Sequence, residues 1–344
     1  MSDLTLGNII FFTIMFTWMV YLVQELFITG ASALNRIVST NEEERKQVQV
    51  TTGLHFDGIE VWLIAALTMT LGAFPQVFSI TFSHLYVPIF LLLYALIARG
   101  VSIEVVYKLD NDKWVKSMVM AWTISSILII FILGVYMTNM FLGYPFVGGE
   151  MTRSFFTIFN VSGISGGLFF VALSLVAGAG WLQLTTEGNL HAKALKFVKK
   201  VGVIYTVPIL LLLVLMGLNN ESSSIFNGEL YLDYPVLFVL PFLLVASAIA
   251  TMVFGYKEKG IHAFITSLST MFFFVMVGFV GMFPYVLISR GAVNESLLIR
   301  DTMAGAGPLK IILIAVAIFY PIIIGYQGWK FKRFTKKVKY NDEE

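Results

Sequence analysis

The chain contains no cysteine among its 344 residues. That removes disulfides, thiolate-ligated zinc, iron–sulfur clusters and a thiolate nucleophile. Charge is scarce too: 13% of residues are Asp, Glu, Lys or Arg, against about 25% in soluble domains. The net charge of +2 gives no electrostatic footprint for nucleic acid. Histidine is limited to His55, His84, His191 and His262, all in loops or at the ends of apolar runs. Membrane haem proteins draw their axial His from within a span. If this protein takes part in redox chemistry, a partner must therefore hold the cofactor. No His, Asp or Glu grouping has metal-ligand spacing. The N-terminus lacks a basic n-region and a small-residue cleavage site, so the first apolar run reads as a retained span.

What is abundant is apolar. Hydrophobic residues make up 58% of the chain and the mean hydropathy is +0.83. A water-soluble fold of this composition would expose very large apolar patches, so the class is an all-α, polytopic membrane protein. A hydrocarbon core about 30 Å thick takes roughly 20 residues of helix. That length predicts nine transmembrane helices in a single membrane domain covering 1–344. They are Asn8–Ile28, Phe56–Phe74, Leu85–Tyr107, Met118–Met140, Val161–Leu182, Val201–Leu218, Val236–Tyr256, Ile261–Leu287 and Pro308–Trp329. The run Glu42-Glu43-Glu44-Arg45-Lys46 reads as a solvated helical edge.

Loop charge sets an orientation. The tail after Trp329 is strongly basic, and Lys193, Lys196, Lys199 and Lys200 crowd the loop between spans five and six. Arg36, Arg45, Lys46, Lys108, Lys113, Lys116, Lys257 and Lys259 fall on the same side of a nine-span chain. The positive-inside rule places that side in the cytoplasm, with the N-terminus outside and the C-terminus inside.

Ionisable residues inside spans are costly and so need a reason. Glu25, Asp57, Glu60 and Glu104, from three successive spans, fall in the cytoplasmic leaflet, where a proton inlet would sit. Plainer readings stand beside this one. Glu104 and Lys108, four apart, make an ordinary helical ion pair. Asp57 suits the N-cap of span two, and Glu25 can reach the interface. Arg99 lies about two turns inside span three and requires an intramembrane counter-ion or a polar head group. Glycines such as Gly163, Gly166, Gly178 and Gly180 are spaced for close helix contact.

Several ordered motifs resemble subunit II of the cytochrome bd-type quinol oxidases. They are Asp57-Gly-Ile-Glu60-Val-Trp62-Leu63 with Phe74-Pro75, Arg99-Gly100-Val-Ser-Ile-Glu104, Gly143-Tyr-Pro145-Phe146, Gly178-Ala-Gly-Trp181-Leu182 with Thr186-Glu187-Gly188, and Phe283-Pro284-Tyr285. The resemblance covers nearly the whole chain. It implies two four-helix bundles plus one additional helix. It also implies a haem-bearing subunit I that holds haems b and d, with no haem or metal ligated by this chain and no catalytic residue in it. It leaves room for a small single-helix subunit, membrane lipid and a bound quinone. The activity implied is oxidation of quinol and reduction of oxygen in an aerobic respiratory chain of a bacterial or archaeal cytoplasmic membrane.

Carried over by position, Asp57 and Glu104 match the acids of the family's proposed proton route. Glu25 matches the first acid of its acid-Gly-Phe-Asp motif, and Trp62 matches the tryptophan associated with an oxygen route. Here that motif reads Glu25-Leu-Phe-Ile28, so the second acid is replaced. Two other classes compete: a proton-coupled secondary transporter, which expects a midplane site shared by two matching halves, and a membrane scaffold with no pathway.

Overall fold

The computed structural model describes residues 2–147, 150–151, 158–199, 210–211, 229–289, 296–334 and 337. Eight helices among them are long and apolar enough to cross a membrane. The sixth expected span, 201–218, lies outside the described residues apart from 210–211.

Helix α1 spans Asp3–Val38, α2 Glu42–Ala73, α3 Pro75–His84, α4 Tyr86–Val105 and α5 Asp112–Leu142. After them come α6 (Val161–Thr185), α7 (Asn189–Phe197), α8 (Glu229–Asp233), α9 (Val239–Tyr256), α10 (Gly260–Met282), α11 (Ile299–Thr302) and α12 (Ala306–Phe334). The boundaries have local causes. Ser2, Asn41, Asn111 and Asn160 each accept a first-turn N–H and cap α1, α2, α5 and α6. Pro75 cannot continue α2 and instead opens α3 at its first position. Phe283-Pro284 stops α10, so the eighth expected span ends at Met282 rather than Leu287. Tyr285–Leu287 (β3) pairs antiparallel with Leu297–Leu298 (β4), and Phe146–Val147 (β1) pairs with Glu150–Met151 (β2). Among the described residues these short ladders are the exceptions to helix and its connecting turns.

Helices α1 and α2 run well past a hydrocarbon thickness. At 1.5 Å per residue the 36 residues of α1 extend about 54 Å. The start of α2 at Glu42 corrects two expectations. Asp57 is not an N-cap but lies in mid-helix, because the polar half of α2 continues the helix into the loop region. Glu44 is not solvated either: it is buried and pairs with Lys193 at 2.5 Å, fastening α2 to α7.

In the first bundle α1 packs on α2 and α5, and α4 packs on α5. Helix α2 barely touches α4, and the space between them matters below. The second bundle has α6, α9 and α10 as its described members, with α6 shared against α1 and α5. Helix α12 lies over α2 and α1 with most of its surface outward. The α1–α6 crossing is close because Gly30 lies against the Ser174 backbone and Gly178 against the Gly30–Ala31 backbone, leaving no room for a Cβ at either.

Candidate functional site

Three helices meet on Arg99. Its side chain is buried in α4, and its Nη1 donates to Glu25 Oε1 of α1 at 2.5 Å. Nη2 donates to Glu60 Oε1 of α2 at 3.1 Å. Thr29, one turn beyond Glu25, donates its hydroxyl to Glu25 Oε1 and accepts from Arg99 Nη1. The Phe56 ring lies 5.7 Å from the guanidinium. Glu25 is fully buried, whereas the Glu60 side chain is 28% exposed.

The charge count is the informative feature. With both acids ionised, two carboxylates face one guanidinium and the cluster carries one uncompensated negative charge. In a low-dielectric interior that excess is costly. Binding one proton to either carboxylate makes the group neutral. The arrangement is therefore suited to hold a single exchangeable proton.

Glu60 also lines a cavity of about 540 Å³ in the gap between α2 and α4. Its wall is otherwise almost wholly apolar, including Trp18, Phe56, Leu63, Ile97 and Leu133. The lining includes no His, Met or Cys that could ligate iron. His55 is packed between Phe331, stacked at 4.6 Å, and Trp181 at 5.3 Å. The Nδ1 atoms of His84 and His191 hydrogen-bond to main-chain carbonyls. Among the described residues no group of three His, Cys, Asp or Glu is placed to hold a metal ion.

The structure brings Glu25 and Arg99 together. It leaves Asp57 and Glu104 exposed and outside that hydrogen-bonded group. Glu104 makes no ion pair with Lys108 among the described residues. Both acids do flank the gap: Asp57 is one turn from Glu60, and Glu104 one turn from Val101, which shares the cavity wall with Glu60. Trp62 is buried against Tyr320, and its Nε1 donates to Gln327 Oε1 at 2.9 Å. Gln327 in turn donates from Nε2 to the Gly58 carbonyl at 2.6 Å, clamping α12 onto α2. Sequence reasoning missed Gln327 and Thr29. The available signals were a lone amide in the last apolar run and a hydroxyl four residues after Glu25.

The fold and this site define a helical membrane protein with a buried charge cluster built by its first bundle. The family model described as "Cytochrome bd terminal oxidase subunit II" matches residues 6–334. The chain is 30% identical to "Cytochrome bd ubiquinol oxidase subunit 2" of Bacillus subtilis, with 92% of each chain covered. It is 26% identical to "Cytochrome bd-I ubiquinol oxidase subunit 2" of Escherichia coli K12, again over 92% of each. Its fold matches a chain from "The structure of bd oxidase from Geobacillus thermodenitrificans" with a TM-score of 0.72 and 16% identity, covering 96% of this chain and 98% of that one. The chain belongs to the cytochrome bd terminal oxidase subunit II family. Its relatives are subunits of an oxidoreductase complex.

Proposed function

We propose that this chain is the non-haem-ligating subunit of a quinol:oxygen oxidoreductase and forms a single membrane unit that buttresses a haem-bearing subunit I. The basic end faces the cytoplasm, with the N-terminus outside. Haems b and d belong to the partner, where electrons from quinol reduce oxygen and each electron is matched by one proton. This chain's part is to hold and pass protons at Glu25 and Glu60 around Arg99. Asp57 and Glu104 flank the cytoplasmic end of the same gap and open it to the neighbouring subunit. The cavity beside Glu60 has the size and lining of an apolar-ligand pocket, and it accepts a quinone tail or a lipid chain. Trp62, clamped by Gln327, is the packing post beside an oxygen route into the partner.

The single observation that carries this reading is one buried guanidinium set between two carboxylates, a group that is neutral only with one proton bound. It also weighs against a secondary transporter, whose midplane site would draw on two matching halves; here all three charges come from the first bundle. Glu25→Gln and Glu60→Gln, made in the assembled complex, test it. Proton uptake and quinol oxidase turnover are expected to fall while haem content stays normal. Unchanged uptake and turnover in both variants would leave only the buttressing role.

A further inference from the structure

The proton-holding cluster accounts for only the inner end of a longer feature of α1. Tyr21, Glu25, Thr29, Ser32, Asn35 and Ser39 follow one another at steps of three and four residues, so they lie on one face of the helix. All six are buried, although they are polar. Five of their polar atoms have no hydrogen-bond partner among the described residues: Tyr21 Oη, Ser32 Oγ, Asn35 Oδ1 and Nδ2, and Ser39 Oγ. Helix α2, packed alongside, adds Gln47 Oε1 and His55 Nδ1 on its own buried face. The reverse side of α1 behaves differently. Leu26 accepts a hydrogen bond from Ser174 through its carbonyl, and Gly30 and Ala31 meet α6 at backbone distance.

Buried polar groups are almost always hydrogen-bonded, and where protein supplies no partner, internal water does. We infer that this face of α1 carries a file of internal water from Ser39, at the cytoplasmic end, to the Glu25–Arg99–Glu60 cluster. The inference rests on the proposed proton-handling role and gives it an inlet separate from Asp57 and Glu104. From Ser39 to Glu25 is 14 residues, about 21 Å along the helix. At about 2.8 Å per O–H···O link that distance takes roughly seven links, some of them the Ser32 and Thr29 hydroxyls. Ile28 shares this face, so the links pass beside it through Thr29, which already donates to Glu25. In each transfer a hydronium ion of the aqueous phase gives a proton to the water at the Ser39 end and is left as water, each link breaks one O–H bond and forms the next, and the last O–H bond forms on a cluster carboxylate. No electron moves.

Ser32→Val and Asn35→Leu fill the face with apolar atoms without touching the cluster. In the assembled oxidase both are expected to slow proton uptake and turnover severalfold, with quinol KM and haem content unchanged. Asn35→Asp, which still binds water, is expected to retain uptake. If Ser32→Val and Asn35→Leu take up protons normally while Glu25→Gln is slowed, this inlet is wrong and the proposed function stands. If all three are normal, and Glu60→Gln with them, the inlet and the proton-handling role both fall. Because a variant can fail to assemble, the unmodified complex supplies a second test. High-resolution cryo-EM density is expected to show ordered water against Ser32, Asn35 and Ser39, and dry packing there overturns the inference.

Discussion

Arg99 has no solvent to turn to, so its two carboxylates determine what the first bundle can tolerate. Removing one member of a buried ion pair costs about 3–5 kcal/mol, because the charge left behind is uncompensated. Arg99→Leu should therefore lower the melting temperature of the detergent-solubilised complex sharply. Replacing the pair together, as Arg99→Leu with Glu25→Leu, should recover most of the loss, since a packed apolar pair is often no worse than a buried ionic one. A double variant as unstable as the single one would show that packing around Thr29, rather than charge, holds the three helices. Arg99 was legible in the sequence as a charge needing a partner, because one residue inside one span suffices to raise the question. Its partners were not, because pairing depends on the rotation of α1 and α2 about their own axes. Nothing in a single sequence fixes that rotation. The sequence reading puts the four acids in one leaflet, but the structure turns Glu25 and Glu60 toward Arg99 and leaves Asp57 and Glu104 exposed.

At the scale of elements, hydropathy reports the thickness of the hydrocarbon and not the length of a helix. The cores of the first, third, fourth, fifth and last described spans were legible for that reason. The polar half of α2 and the short α3 were not. Nor was the stop of α10 at Phe283-Pro284, since Tyr285 to Leu287 are as apolar as the helix before them. Two contacts now carry predictions. Gln327 satisfies the Trp62 N–H and the Gly58 carbonyl together, so Gln327→Leu strands a buried donor at a cost of about 1–3 kcal/mol. Hydrogen exchange should then rise in α12 and the adjoining turn of α2, and not in α6. Gly178 has no space for a Cβ against the Gly30–Ala31 backbone, so Gly178→Ala should force α1 from α6 at about 1–3 kcal/mol. The same change at Gly325, where nothing lies within 4 Å of the added carbon, should be nearly neutral apart from helix propensity.

For the molecule as a whole, the distribution of charge predicts a single orientation. Basic residues gather at the end where α1 meets α2, α4 meets α5, and α9 meets α10, and the tail after α12 continues the trend. Each Lys or Arg resists crossing an energised membrane, so this end should remain in the cytoplasm. The absence of cysteine makes the prediction simple to check, because any thiol signal comes from the residue introduced. Ser2→Cys and Lys337→Cys are both at exposed positions beyond the apolar helices. A membrane-impermeant maleimide added to intact cells is expected to label Cys at position 2 and to spare position 337 until the membrane is opened. The opposite pattern would invert the protein. The Glu25–Arg99–Glu60 cluster and the polar face of α1 would then open to the outer side, which would rule out uptake of cytoplasmic protons through this chain. Labelling at both positions in intact cells would mean an even number of crossings, and the nine-span arrangement would fail.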